Sequence, residues 1–242
     1  MFSDQLINKL KQAQRVAVLT GAGISAESGV PTFRGEEGLW KKFRPEELAN
    51  FDAFIRNPKL VWEWYTYRKK IISEVEPNAA HYALVQLEEK YENFHLITQN
   101  VDNLHRLAGS KRICELHGNI MRNRCVDCNK YIDEIHFNQE ELPRCECGGL
   151  IRPDVVWYGE NLPQQVLMDS FTAANSSDVF FSIGTSAVVQ PAASLPLEAK
   201  NAGAFVVEIN IEPTVISHLI DESLLGKAAD IMPKIIEKIA EA

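Results

Sequence analysis

The chain has 242 residues, 45% of them hydrophobic and 24% charged, with a formal net charge of −8. That composition supports a real core, and its acidic balance argues against gripping a nucleic-acid backbone with a basic face. No apolar run approaches the roughly 20 residues a membrane span needs, and the amphipathic opening MFSDQLINKLKQAQ lacks a signal peptide's apolar core, so the expectation is a cytoplasmic protein, monomeric in the first instance, with no membrane or nucleic-acid partner.

In chain order, helical periodicity predicts helices over 4–12, 79–90, 164–174, 192–201 and 234–240, with Pro233 in the first turn of the last. Apolar, β-branched runs predict strands over 16–19, 94–98, 113–116, 179–183 and 205–209. The alternation is that of an α/β fold: a Rossmann-like parallel sheet flanked by helices. Two segments break it. Residues 34–75 are helical and aromatic, and residues 121–151 are rich in cysteine and charge. Both read as insertions that pack into a smaller, zinc-containing and helical domain. Residues 1–33, 76–120 and 152–242 remain for the dinucleotide-binding domain.

Each predicted strand runs into polar or glycine residues: TGAG, QNVD, HG, GTS and NIE. In an open parallel sheet, ligands bind beyond the carboxyl ends of the strands, so five such ends point to one crevice. Gly21, Gly23 and Ala26 fit G-x-G-x-x-[GA] after the first strand. The glycines would let the backbone approach a pyrophosphate, and the next helix start would supply N–H donors. Phe33 and Arg34 follow as an aromatic wall and a cation that could cover a nicotinamide ribose, although a solvated arginine is an equal reading of Arg34. A hydride-transferring fold would carry a second strand with an acidic end about 20 residues on. Here that stretch reads PTFRGEEGLWKKFRPEEL, with Glu36 and Glu37 in a glycine-flanked loop, so a ribose partner would come instead from Asn210 and Glu212.

Four of the five cysteines form two close pairs, Cys125/Cys128 and Cys145/Cys147. Four thiolates so arranged suit a tetrahedral structural zinc with no open position. The second pair is one residue short of the usual knuckle. Either Gly148 and Gly149 relax the backbone to admit both sulfurs, or His136 or Glu146 replaces one of them. The fifth, Cys114, reads as strand interior.

The helix PKLVWEWYTYRKKII places Leu60, Trp64, Tyr67 and Ile71 in one stripe, read as its packing face. Tyr65 and Arg68, three apart on another face and flanked by Val61 and Ile72, could meet in an apolar pocket. A phenol and a guanidinium there would suit a carboxylate; an arginine reaching solvent beside a surface tyrosine is the plainer alternative.

The segments GAGISAESGVPTFRG, TQNVDNLHRLAG, ELHGNI, the paired cysteines, RPDVVWYGE and IGTSAVVQPAA carry a resemblance that extends over nearly the whole chain. In that order they resemble the sirtuins, NAD-dependent protein-lysine deacylases. The resemblance implies that NAD is consumed as a co-substrate, the acyl group passing from lysine to ADP-ribose with release of nicotinamide. It assigns catalysis to His117, as the base for a ribose hydroxyl, and to Asn100. Gln99 and Asn100 would lie at the nicotinamide ribose and Asp102 at the carboxamide, with Ala22, Trp40 and Val101 in the same NAD site. Gly184, Thr185 and Ser186 would hold phosphate and adenosine ribose. Asn210, Ile211 and Glu212 would lie at the ribose, and Ala228 at the adenine edge.

By the same resemblance Val156, Trp157, Tyr158 and Gly159 pair with the substrate peptide as an added strand. Tyr158 stands where the family commonly has Phe, which keeps the aromatic wall of the lysine tunnel. The Y-x-x-R of Tyr65 and Arg68 is similar to the desuccinylase and demalonylase branch, so acidic acyl-lysines are expected as substrates, with acetyl-lysine also accepted. His81, His95, His105, His136 and His218 have no such context and read as structural or surface residues. The rivals are a protein mono-ADP-ribosyltransferase using the same NAD site, a non-catalytic NAD-sensing module and, last, a hydride-transfer enzyme.

Overall fold

The computed structural model describes residues 2–32, 48–132, 135 and 141–241. Phe33, Arg34, Glu36, Glu37, Trp40 and His136 lie outside the described residues. Six strands form an all-parallel sheet: β1 (Arg15–Thr20), β2 (Asn93–Thr98), β3 (Ile113–Glu115), β7 (Val179–Ile183), β8 (Phe205–Asn210) and β9 (Glu222–Leu225). Their spatial order is β3-β2-β1-β7-β8-β9. That is the dinucleotide-fold order, and its direction reverses between β1 and β7. The strands read as near-continuous apolar runs because helices cover both faces. On one face α1 (Asp4–Gln12), α5 (Ala79–Lys90) and α9 (Ala228–Ala240) pack over Val16, Val18, Phe94, Leu96, Phe181 and Val207. On the other, α7 (Gln164–Ser176) and α8 (Leu195–Asn201) cover Leu19, Ile97, Phe180 and Val206.

A second, antiparallel sheet of order β5-β4-β6 comes from β4 (Gly118–Cys125), β5 (Tyr131–Ile132) and β6 (Ile151–Val155). With α3 (Phe51–Arg56) and α4 (Pro58–Ser73) it encloses its own core around Phe54, Trp62, Trp64, Ile120 and Trp157. Among the described residues the remaining α-helices, α2 (Ala22–Ala26) and α6 (Leu104–Ala108), are single turns at the ends of β1 and β2.

Three expectations need correction. The last helix begins at Ala228, so Pro233 lies inside it rather than in its first turn. A proline there removes a hydrogen bond and costs about 3 kcal/mol. Burial of Met232, Ile235 and Ile239 in the main core offsets this, each side chain contributing about 2 kcal/mol. The segment 192–201 is a 3-10 turn, Ala192–Ser194, followed by the shorter helix α8. Finally, α4 does not pack by the expected stripe: Leu60 and Tyr67 are 41% and 54% exposed. The buried face carries Val61, Trp62, Trp64, Tyr65, Arg68 and Ile72, about 100° further round the helix. The helix faces β4 and β6, where the Trp62 indole donates to the Ile151 carbonyl at 3.0 Å. That contact outweighs the bulk of Tyr67.

Candidate active site

The carboxyl ends of the parallel strands open on a cleft of about 1260 Å³ that runs between the two sheets. Its floor is the reversal point between β1 and β7. There two loops meet almost backbone to backbone: Gly21 N–H donates to Ile183 O at 2.9 Å and Gly23 N–H to Gly184 O at 2.8 Å. A Cβ on Gly21 or Gly23 would lie 2.7 Å from Gly184 backbone atoms, and one on Gly184 (φ +60°) 2.4 Å from Ile24 N. The glycines are therefore needed first for this crossing of two loops. The N–H groups of Gly21, Gly23 and Ile24 are all bonded within the protein.

Around this floor the cleft is lined by Gly21, Ala22, Gly23, Ala26, Gln99, Asn100, Val101, His117, Gly184, Thr185, Ser186, Asn210, Ile211, Glu212 and Ala228. All five strand ends thus contribute. Asn100 is locked: its side-chain amide donates to Gly21 O at 3.0 Å and Ser25 Oγ at 3.2 Å, and its own N–H donates to Thr98 Oγ1 at 3.0 Å. The Gln99 amide donates to Thr185 Oγ1 at 3.0 Å, tying the β2 end to the β7 end.

His117 follows β3 at the cleft wall, with Nδ1 2.9 Å from the Gln99 carbonyl oxygen. A carbonyl only accepts, so Nδ1 carries the proton and, in the neutral ring, Nε2 keeps its lone pair. Burial holds this imidazole below the ordinary 6.5, against the raising effect of the Gln99 bond. At neutral pH it is a base rather than a cation.

Asp102 does not line the cleft. Its carboxylate is buried behind the wall and accepts the Leu104 N–H at 3.0 Å; burial raises its pKa against that bond and the nearby Arg68. The opposite wall holds Tyr65, Arg68, Val156, Trp157, Tyr158 and Gly159. Tyr65 and Arg68 are 1% and 5% exposed, so the surface-arginine alternative fails. Burial pushes the Tyr65 phenol up to about 12, which keeps it protonated, and lowers the Arg68 pKa. The Arg68 guanidinium sits 5.0 Å from the Trp64 ring centre. Tyr158 N–H donates to Ala49 O at 2.9 Å, anchoring that loop to the segment before α3.

Sequence reading missed three parts of this architecture. Lys227 joins the wall beside Ala228 at the start of α9, and recognising β9 just before it would have exposed that start. The buried Arg152 pairs with the half-buried Glu160 under the Trp157 loop, with Nη2–Oε2 at 3.0 Å. Behind Asn100, Thr20 Oγ1 bonds Thr98 Oγ1 at 2.8 Å and His105 Nε2 at 2.9 Å. The His105 ring lies 4.8 Å from that of His81.

The four paired cysteines bring their sulfurs within 4.8 Å of one another, with Cys125–Cys147 at 3.5 Å and Cys128–Cys145 at 3.7 Å. A zinc with bonds of about 2.3 Å in a tetrahedron separates its sulfurs by about 3.8 Å, so the set fits the ion. Gly148 adopts φ +89°, and a Cβ on Gly149 would lie 2.7 Å from Cys125 Sγ. The short pair thus reaches the ion because two glycines follow it. Glu146 is spoken for by Lys130, at 2.8 Å.

Residues 21–191 match the Sir2 family. The chain belongs to the Sir2 family. Among Sir2 relatives, an NAD-dependent protein deacylase of Pyrococcus furiosus is 52% identical over 237 residues, covering 95% of each chain. One of Aquifex aeolicus is 51% identical over 228 residues, covering 93% of this chain and 95% of the relative. A Sir2 homologue solved as an NAD complex superposes with a TM-score of 0.93 at 43% identity, covering 100% of this chain and 95% of the other. A Sir2–p53 peptide–NAD+ complex gives 0.86 at 31% identity with both chains fully covered.

Proposed function

We propose that this Sir2-family chain is an NAD-dependent protein-lysine deacylase acting on acyl groups that end in a carboxylate, succinyl and malonyl, as well as on acetyl. The deacylase activity rests on the family membership and the two deacylase relatives at about half identity. The carboxylate preference rests on one observation: Tyr65 and Arg68, both buried, line the same cleft as His117.

When bound, NAD supplies an electrophilic ribose carbon and a nicotinamide leaving group. Gln99, Asn100 and Gly184–Ser186 form the wall that orients it, and the bonds that hold both amide protons of Asn100 fix its Oδ1 as an acceptor at the β1/β2 ends. His117 Nε2 accepts a ribose hydroxyl proton, its ring aimed by the Gln99 carbonyl. The loop 156–159 receives the peptide as an added strand, and the acyl-lysine side chain passes between it and the cleft floor. Arg68 presents a buried cation to the acyl carboxylate and Tyr65 a neutral donor. A cytoplasmic, monomeric protein whose partners are acylated lysines of other proteins belongs to the same proposal.

The test is nicotinamide release with succinyl-lysine and acetyl-lysine versions of one peptide. Wild type should turn over both, and Arg68→Met should lower succinyl kcat/KM by about 100-fold, the scale of a lost charge-assisted pair. Turnover of acetyl-lysine alone by wild type would remove the carboxylate preference and leave deacylation. Silence on both peptides would favour ADP-ribosylation or NAD sensing.

A further inference from the structure

The Tyr65 hydroxyl is an oxygen with one proton to give. Among the described residues it makes a single hydrogen bond, accepted from the Trp157 indole Nε1–H at 2.7 Å. With that donor aimed at its oxygen, the phenol proton must turn away from Trp157. Arg68, its neighbour on α4, has donors only and offers the proton no acceptor. The remaining direction is the cleft that Tyr65 lines.

Trp157 is itself held from three sides. The Arg152 guanidinium lies 3.3 Å from its ring centre, the Phe54 ring packs at 5.3 Å with a 46° tilt, and the backbone N–H of Trp157 donates to Glu160 Oε2 at 2.8 Å. The same Glu160 carboxylate takes both terminal nitrogens of Arg152, whose Nη2 also reaches the Val155 carbonyl at 2.6 Å. A buried guanidinium without this pair would be costly. Here it supplies a cation–π floor for the indole. The indole cannot swing without losing its bond to Tyr65 and its contact with the guanidinium.

We infer that Trp157, clamped by the Arg152–Glu160 pair, is a positioning residue for acyl selectivity: its indole N–H turns the Tyr65 hydroxyl proton into the acyl pocket. The inference rests on the carboxylate preference proposed above. Beyond the carbonyl that all these acyl groups share, an acetyl group ends in a methyl, which cannot accept that proton. A succinyl or malonyl carboxylate does.

The test compares Trp157→Phe, Tyr65→Phe and the double variant on succinyl-lysine and acetyl-lysine peptides. Trp157→Phe keeps a flat ring and deletes the N–H. Expected is a fall of about five- to tenfold in the succinyl-to-acetyl ratio of kcat/KM, the size of one neutral hydrogen bond, appearing in KM for the succinyl peptide. Tyr65→Phe should lower the ratio similarly, and the double variant no further than either single one. An unchanged ratio in Trp157→Phe overturns the inference, and so do losses that add in the double variant. A wild type idle on succinyl-lysine overturns the carboxylate preference and this inference together, so the two failures are told apart. Should Trp157→Phe not fold, indole N–H resonances of Tyr65→Phe decide: one should move from its wild-type position, and an unmoved set overturns the inference.

Discussion

At the scale of single residues, the most telling groups are the histidines that were set aside as structural. His81 is fully buried, with Nδ1 accepting the Asn78 N–H at 3.3 Å, and burial drives its pKa from 6.5 down to about 4. Because the folded value lies below the unfolded one, the neutral ring's stabilisation is complete above about pH 6.5 and is lost as pH falls towards 4. At pH 5 this one ring withholds about 2 kcal/mol of stability relative to pH 7.5. His105, held well below 6.5 by burial, acts in the same direction. Urea unfolding at both pH values should show that acid loss in wild type and a smaller one in His81→Leu; equal acid sensitivity in the two would contradict the assignment. His117 could be picked from the sequence only through the ELHGN resemblance, since no periodicity separates it from His81. What distinguishes the two is the carbonyl facing Nδ1 and the cleft facing the ring, and neither is a property of the sequence near them.

At the scale of elements, the parallel strands were legible because burial on both faces leaves uninterrupted apolar runs, as in Val179–Ile183. Strand β9 was not, since Glu222–Leu225 is short, lies at the sheet edge and ends in the exposed Leu225. The strands β4 and β6 hid for another reason: GNIMRNRC and IRPDV carry charges that are satisfied by one another across the small sheet. Arg122, for example, meets Asp154 at 3.0 Å. The face of α4 was misjudged because side-chain size does not report which neighbour a helix will find. The loop crossing at the β1 and β7 ends gives a sharp test. Gly184→Ala combines a left-handed residue with a Cβ driven onto Ile24 N, which should cost about 2 kcal/mol or more and weaken NAD binding in step. An urea midpoint equal to that of wild type would show the crossing to be looser than drawn.

At the scale of the whole molecule, the cleft belongs to neither sheet alone. Its floor comes from the parallel strands and its opposite wall from α4 and the loop after β6. The metal cluster lies in the small sheet, where an ion held by Cys125, Cys128, Cys145 and Cys147 contributes to folding rather than to chemistry. Removing it with a chelator should release one zinc per chain and raise hydrogen exchange across 118–155. Nicotinamide release should be lost while amides of β1, β2, β7 and β8 stay protected; retained activity in a metal-free chain would exclude the structural role. The fold class, the crevice and the cysteine set were all readable because each repeats a local pattern several times along the chain. The placement of Asp102 behind the wall was not, because it depends on the buried Leu104 N–H that captures it.

The two ends of the small sheet meet at one seam: His117 precedes β4, Val156 follows β6, and Val156 N–H donates to the His117 carbonyl at 2.9 Å. Everything between them is, in effect, one long loop closed by a stem. Chain could be added to or taken from that loop in the course of descent without moving the stem, provided the metal knot still ties it off. The proposed base and the loop proposed to receive the peptide are the two posts of a single gate, and whatever hangs beyond them can diversify while the gate keeps its width.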